Sequence, residues 1–196
     1  MMEAVEKGGL RIVVAGPPGA GKTRLAVRLA ARTGLPLYDL DDLYWGPGWS
    51  SPGPGEWQIR QQSVTGTDRW IIAGNFQATL DVRLRRATHL VVLDPGPAVC
   101  LARLVRRTLG IYLGHVDALP QHLRADGRFS AGRGFRGIAR TASRYRRVEL
   151  PATRRLAAGH GVRVLYAGGR TADAAGIAAR LQGESAAHFQ GGAADG

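Results

Sequence analysis

The stretch Gly16-Pro17-Pro18-Gly19-Ala20-Gly21-Lys22-Thr23 governs how the rest of the chain is read. It consists of a glycine, four residues, and then Gly-Lys-Thr, the pattern of a loop that wraps phosphate groups. Leu10–Ala15 precedes it, a short apolar run rich in Val and Ile that ends at Gly16 and reads as a buried strand. Leu25, Ala26, Leu29 and Ala30 follow it at helical spacing between Gly21 and Thr33, and Gly34 stops that run. Strand, glycine-rich loop and helix, in that order, form the context the motif needs. Glycines reach backbone angles closed to other residues and let amide N–H groups approach phosphate oxygens. The helix N-terminus adds positive potential. On this reading Gly16, Pro17, Pro18, Gly19, Ala20 and Gly21 contribute backbone to a phosphate cradle, Lys22 reaches the β- and γ-phosphates, and the Thr23 hydroxyl ligates magnesium. The expected ligands are ATP and Mg2+.

Composition supports that weight on one lysine. The chain has 196 residues, the size of one domain, and 44% hydrophobic content, enough for a core. Its formal net charge is +12, yet among 27 basic residues only Lys7 and Lys22 are lysines. An arginine bias this strong reads as a property of the whole composition, so single arginines carry little information and a lysine carries more. A basic surface attracts polyanions, which leaves nucleotide phosphates and nucleic acid both open as partners. No helix-turn-helix, zinc or RNA-binding signature supports the second. Cys100 is the lone cysteine, so no internal disulfide forms, and its apolar surroundings suggest an inert core residue. No apolar run approaches the ~20 residues of a membrane span. The N-terminus lacks the apolar stretch of a signal peptide, so a cytoplasmic location and no membrane partner are expected. The five histidines lack metal-ligand spacing.

Further strand candidates are Leu35–Leu40, Trp70–Ala73, His89–Leu93 and Val162–Ala167. Helices are expected over Glu56–Val64, Ala98–Leu109, Thr171–Leu181 and most of Arg133–Ala158, with Pro151 kinking the last. Residues 41–55 are rich in proline and glycine and read as a loop. Alternating strands and helices predict an α/β fold of three layers, a P-loop NTPase fold with a five-stranded parallel sheet and helices on both faces. Residues 1–182 form one domain, with an Arg-rich lid insertion over roughly 110–147, and the Gly/Ala-rich tail 183–196 is expected to be disordered.

Carboxylates and arginines supply the remaining candidates. Asp94 ends the fourth strand, where an acid can orient a metal-bound water, or it caps the helix that follows Pro95. Asp39, Asp41 and Asp42 follow the second strand, outside whose carboxyl end ligands bind in open α/β sheets. Asp41 is selected as the group that accepts a hydroxyl proton or holds magnesium through water, against a solvated acidic turn. Arg103 and Arg107 lie four apart on one helix face. Arg136, Arg140, Arg144 and Arg147 also fall on one face, and such a stripe repels itself unless an anion meets it. A closing arm of this kind would lay Arg144 and its neighbours over a triphosphate. Trp45 and Trp49 form either a wall against an acceptor or a cap on the core.

The segments GPPGAGKT, LYDLDDLYWGPGW, WIIAGNFQATLDVRL and THLVVLDPGPAVCLARLVRRTL together resemble the topology modulation proteins, small P-loop proteins similar to adenylate kinase. The resemblance runs from about Arg11 to Leu181, and Asp41–Trp49 is its most specific part. It implies a five-stranded parallel sheet, an Arg-bearing lid, ATP with magnesium, and phosphoryl transfer. It also likens Arg103 and Arg107 to the arginines that lie over adenine and phosphates. Two positions depart from the pattern: Ala73 stands where an Asp is usual, and Ala78 where an Arg helps hold an acceptor phosphate. Both departures weaken AMP as acceptor.

Three functions compete. One is a nucleotide or small-molecule kinase whose acceptor sits between Asp41 and Asn75. Another is an ATP-dependent regulatory NTPase without a small-molecule acceptor, with DNA topology as a target the family name suggests. The third is a basic nucleic-acid binder.

Overall fold

A computed structural model describes residues 9–115, 119, 135–168 and 173–191. Five parallel strands form one sheet in the order β2-β3-β1-β4-β5: β1 Arg11–Ala15, β2 Leu37–Asp39, β3 Trp70–Ala73, β4 His89–Leu93 and β5 Arg163–Ala167. The helices are α1 Lys22–Thr33, α2 Leu40–Tyr44, α3 Pro54–Thr65, α4 Leu80–Leu84, α5 Pro97–Tyr112, α6 Phe135–Arg144, α7 Glu149–Gly159 and α8 Ala174–Gly191.

The near-continuous apolar runs of β1, β3 and β4 follow from burial on both sides, because successive side chains point to opposite faces. Ile12, Val14, Ile71 and Val91 pack with Leu25 and Leu29 of α1, Cys100 and Leu104 of α5 and Leu181 of α8. Val13, Ile72, Leu90 and Val92 pack on the other face with Trp57 of α3, Leu84 of α4 and Leu150 of α7. Two cores on one sheet make the three layers. Cys100 is fully buried, and burial pushes its thiol pKa up, as an inert core cysteine requires.

Four elements differ from the sequence expectation. Residues 41–55 are not all loop: Leu40–Tyr44 forms α2 and Pro47–Trp49 a single 3-10 turn. The Asp39 side chain starts α2 by accepting the Asp41 N–H at 2.9 Å, a cap that overrides the breakers further on. Pro151 does not kink a long helix. The chain breaks earlier, between Arg144 and Glu149, and Pro151 sits in the first turn of α7, where its missing N–H has no partner to lose. Arg147 therefore falls outside α6 and leaves the face assigned to Arg140 and Arg144. The tail does not lose structure at Gly183; α8 continues to Gly191 through helix-favouring alanines. The insertion expected over 110–131 lies largely outside the described residues. No helix among the described residues is long and apolar enough to cross a membrane.

Candidate functional site

The loop Gly16–Gly21 joins β1 to α1 at the carboxyl edge of the sheet, between neighbours β3 and β4. Its glycines are required by geometry. Gly19 has φ +80°, and a Cβ there would lie 2.4 Å from the Cys100 carbonyl, so α5 can approach the loop only at a glycine. Gly21 caps α1 with φ +96°, which aims the first free N–H groups of that helix into the loop. From α5, Arg103 donates through Nη1 to the Ala20 carbonyl at 2.8 Å. Arg103 thus holds the loop itself.

Lys22 folds over the loop and donates to the Gly16 and Pro17 carbonyls at 3.0 and 3.2 Å. Burial lowers its pKa, Asp41 and then Asp39 oppose that, and Arg107 adds to it. Lys22, Asp41, Asp39 and Arg107 therefore share one electrostatic neighbourhood. Thr23 donates through Oγ1 to Asp39 Oδ2 at 2.7 Å. Of the three acids after β2, the hydroxyl chooses Asp39, not Asp41, while Asp41 exerts the larger pull on the Lys22 ammonium.

Asp94 follows β4 and meets a residue the sequence did not point to. Arg146, in the turn after α6, donates through Nε to both Asp94 oxygens, at 2.7 and 2.9 Å. No side chain caps the start of α5, so Asp94 is engaged by Arg146 and not as a helix cap. Arg107, Arg140 and Arg144 are exposed, and the Arg136 side chain lies outside the described residues.

On the β3 side, the Asn75 carboxamide oxygen accepts the Gly16 N–H at 3.1 Å, and its nitrogen donates to Glu149 at 3.3 Å. Burial raises the Glu149 pKa, while Lys22 and the Asn75 hydrogen bond pull it back. Beneath this turn Arg83 is fully buried and donates to the carbonyls of Gly74, Asn75 and Phe76. Among the described residues no carboxylate pairs with it, and burial pushes its pKa down to about 9. Phe76 has a left-handed backbone, φ 32°, which a bulky residue adopts only under constraint, and Arg83 supplies that constraint. Glu149 is readable in retrospect as an acid in the first turn of a helix. Arg146 follows no pattern in an Arg-rich stretch.

Tyr44, Trp57 and Phe76 make a three-ring cluster with centroids 4.7–4.9 Å apart. With Pro52, Pro54 and Gln77 they border a cavity of about 280 Å³ that Ala78 also lines. Trp45 meets Tyr44 edge-on at 4.8 Å and Trp49 at 5.3 Å, and the two tryptophans pack on Ile111 and Leu119 without lining the cavity themselves.

Once this geometry is set against known proteins, no family model and no curated protein matches the chain. Solved structures do match in fold. Shikimate kinase from Acinetobacter baumannii in complex with shikimate is 16% identical, with 92% of this chain and 96% of that one covered, at a TM-score of 0.55. Shikimate kinase from Bacteroides thetaiotaomicron is 18% identical, with 89% and 97% covered and a TM-score of 0.53. A gluconokinase from Sinorhizobium meliloti is 15% identical, with 94% and 99% covered and a TM-score of 0.50. The chain therefore has the three-layer α/β fold of P-loop kinases.

Proposed function

We propose that the protein is a phosphotransferase that moves the γ-phosphoryl group of ATP to the hydroxyl of a small acceptor. The observation that carries this reading is the meeting of Lys22, Thr23, Asp39 and Asp41 at the carboxyl edge of the sheet. A cation for the phosphates, a hydroxyl–carboxylate pair for a metal and a second carboxylate beside the cation are the parts phosphoryl transfer needs.

The residues fit magnesium. Mg2+ keeps most of its waters and takes one or two protein oxygens besides phosphate, and Thr23 with Asp39 offers such a pair. Asp94, at the end of β4, would be a further carboxylate available to the metal's water shell. The metal would neutralise charge that develops on the phosphates. Gly16–Thr23 holds the triphosphate through main-chain N–H groups. Lys22 exchanges the Gly16 and Pro17 carbonyls for phosphate oxygens, and Arg107 and Arg144 lie free of the core to meet the same charge. Asp41 accepts the acceptor's hydroxyl proton as that oxygen bonds to the γ-phosphorus, and ADP leaves with the bridging oxygen.

The motifs GPPGAGKT and Asp41–Trp49 support assignment to the topology modulation proteins. The single-domain reading of 1–182 with a lid over 110–147 belongs to the same proposal, as does a cytoplasmic location. Incubation of the protein with ATP, Mg2+ and a metabolite panel tests transfer. A phosphorylated product is expected; saturable ATP binding with no product from any acceptor refutes phosphotransfer in favour of a regulatory NTPase.

A further inference from the structure

The cavity beside the phosphate loop has walls of an unusual kind. Tyr44 ends α2, the helix that carries Asp41 and Asp42, and Phe76 directly follows Asn75, which holds the Gly16 N–H. The cavity thus opens between the two segments that flank the reacting end of the triphosphate in the proposed mechanism. Tyr44, Trp57 and Phe76 pack on one another at interplanar angles of 81°, 46° and 54°, and all three rings border the cavity. Among the described residues, no charged side chain borders it. Of its polar lining, the Gln77 carboxamide oxygen accepts the Thr153 hydroxyl at 3.3 Å, and the Thr79 hydroxyl donates to the Phe76 carbonyl at 3.2 Å. Arg83, the nearby buried cation, turns its two terminal nitrogens to the carbonyls of Gly74, Asn75 and Phe76. The constrained backbone of Phe76 shows that its ring is placed, not merely accommodated.

We infer that this cavity is the acceptor pocket and that it selects an uncharged, flat-ringed alcohol, its ring against Tyr44, Trp57 and Phe76 and its hydroxyl toward Asp41. The inference rests on the phosphotransferase reading above and adds the acceptor's chemistry. An anionic acceptor would lose its hydration here without gaining a cation, whereas a neutral ring replaces water on apolar surface. The reaction is then ring-alcohol plus ATP giving the phosphate monoester, ADP and a proton held first on Asp41.

The test is calorimetric titration of the full chain, loaded with Mg2+ and a non-hydrolysable ATP analogue, against three sets of probes. Nucleosides (thymidine, cytidine, adenosine, guanosine) form the first, and pentose-free ring alcohols such as pyridoxine and benzyl alcohol the second. Anions (shikimate, gluconate, AMP, dTMP) form the third. Saturable binding is expected in the first or second set, at least about tenfold tighter than for any anion, because an unpaired charge is costly to bury. Which of those two sets binds identifies the source of the ring. The variant Ala78→Arg brings a cation to the exposed rim of the wall without disturbing the core. It is expected to weaken ring-alcohol binding and to leave the melting temperature in place. Tighter binding of an anion, an affinity gain for anions over rings as the native preference, or no binding in any set overturns the inference. Binding of a ring alcohol with no ADP formed when true ATP is supplied would leave the pocket standing and refute phosphotransfer instead.

Discussion

The guanidinium of Arg146 spans both carboxylate oxygens of Asp94, at 2.7 and 2.9 Å, from the turn between two helices of the Arg-rich segment to the end of β4. Arg146 is 51% exposed and Asp94 21%, so the pair adds only about 0–1 kcal/mol to stability. Its effect is expected on function, because Arg146 competes for the carboxylate that is proposed to serve a metal-bound water. In Arg146→Ala the magnesium concentration for half-maximal ATP binding should fall, with urea unfolding shifted by less than about 1 kcal/mol. A raised magnesium requirement would mean that Arg146 assists the metal site.

Asp39 and Asp41 sit two residues apart and should fail differently. Asp39→Asn leaves Thr23 beside a neutral amide and should raise the magnesium requirement by about 10–100-fold, the usual scale for groups that orient a metal ligand. Asp41→Asn should lower turnover with an identified acceptor by about 100-fold or more at an unchanged magnesium requirement. Steady-state kinetics across a magnesium series reads both, and the reverse pattern would exchange the two roles.

Arg83 is a buried cation with three carbonyl partners and, among the described residues, no anion. Arg83→Met relieves a desolvated charge but strips donors from the Gly74–Phe76 turn. Lost charge-assisted hydrogen bonds outweigh the relief, and a destabilisation of about 2 kcal/mol is expected. Urea denaturation measures it; an unchanged or raised midpoint would show that the turn holds without Arg83.

Burial sets the pH behaviour of Lys22. Its pKa lies below the ordinary 10.5 in the folded chain. Between the lowered value and 10.5 the unfolded chain binds more protons than the folded one, so this group's contribution to stability improves as pH rises through that window. Phosphate binding has the opposite trend, since it needs the ammonium. ATP-analogue affinity should fall at alkaline pH, below 10.5, as the ammonium is lost, and Lys22→Arg, whose guanidinium stays charged, should lack that fall. An equal alkaline decline in both proteins would locate the titration elsewhere.

What could be read from sequence divides along a physical line. β1, β3 and β4 were legible because strands buried on both faces must be apolar throughout, and α1 because Leu25, Ala26 and Leu29 repeat at its period before Gly34. Gly16–Thr23 was legible because the motif constrains backbone, not packing. Contacts between distant segments left no local trace. The Arg146–Asp94 pair spans 52 positions, and the hydrogen bond from Asn75 to Glu149 spans 74. Asp41 was preferred over Asp39 because sequence places both after β2 but does not orient the Thr23 hydroxyl. The break before Pro151 was missed because proline marks a helix start as readily as a kink, and only packing of Tyr145 and Leu150 into the core decides between them.

Calorimetric titration of the full chain with a non-hydrolysable ATP analogue in the presence of Mg2+ tests most directly whether Gly16–Thr23 grips a triphosphate. Saturable one-to-one binding is predicted for the native chain, with loss of that heat in Lys22→Ala at an unchanged melting temperature. No heat with the native chain, or equal heats for both proteins, would contradict it.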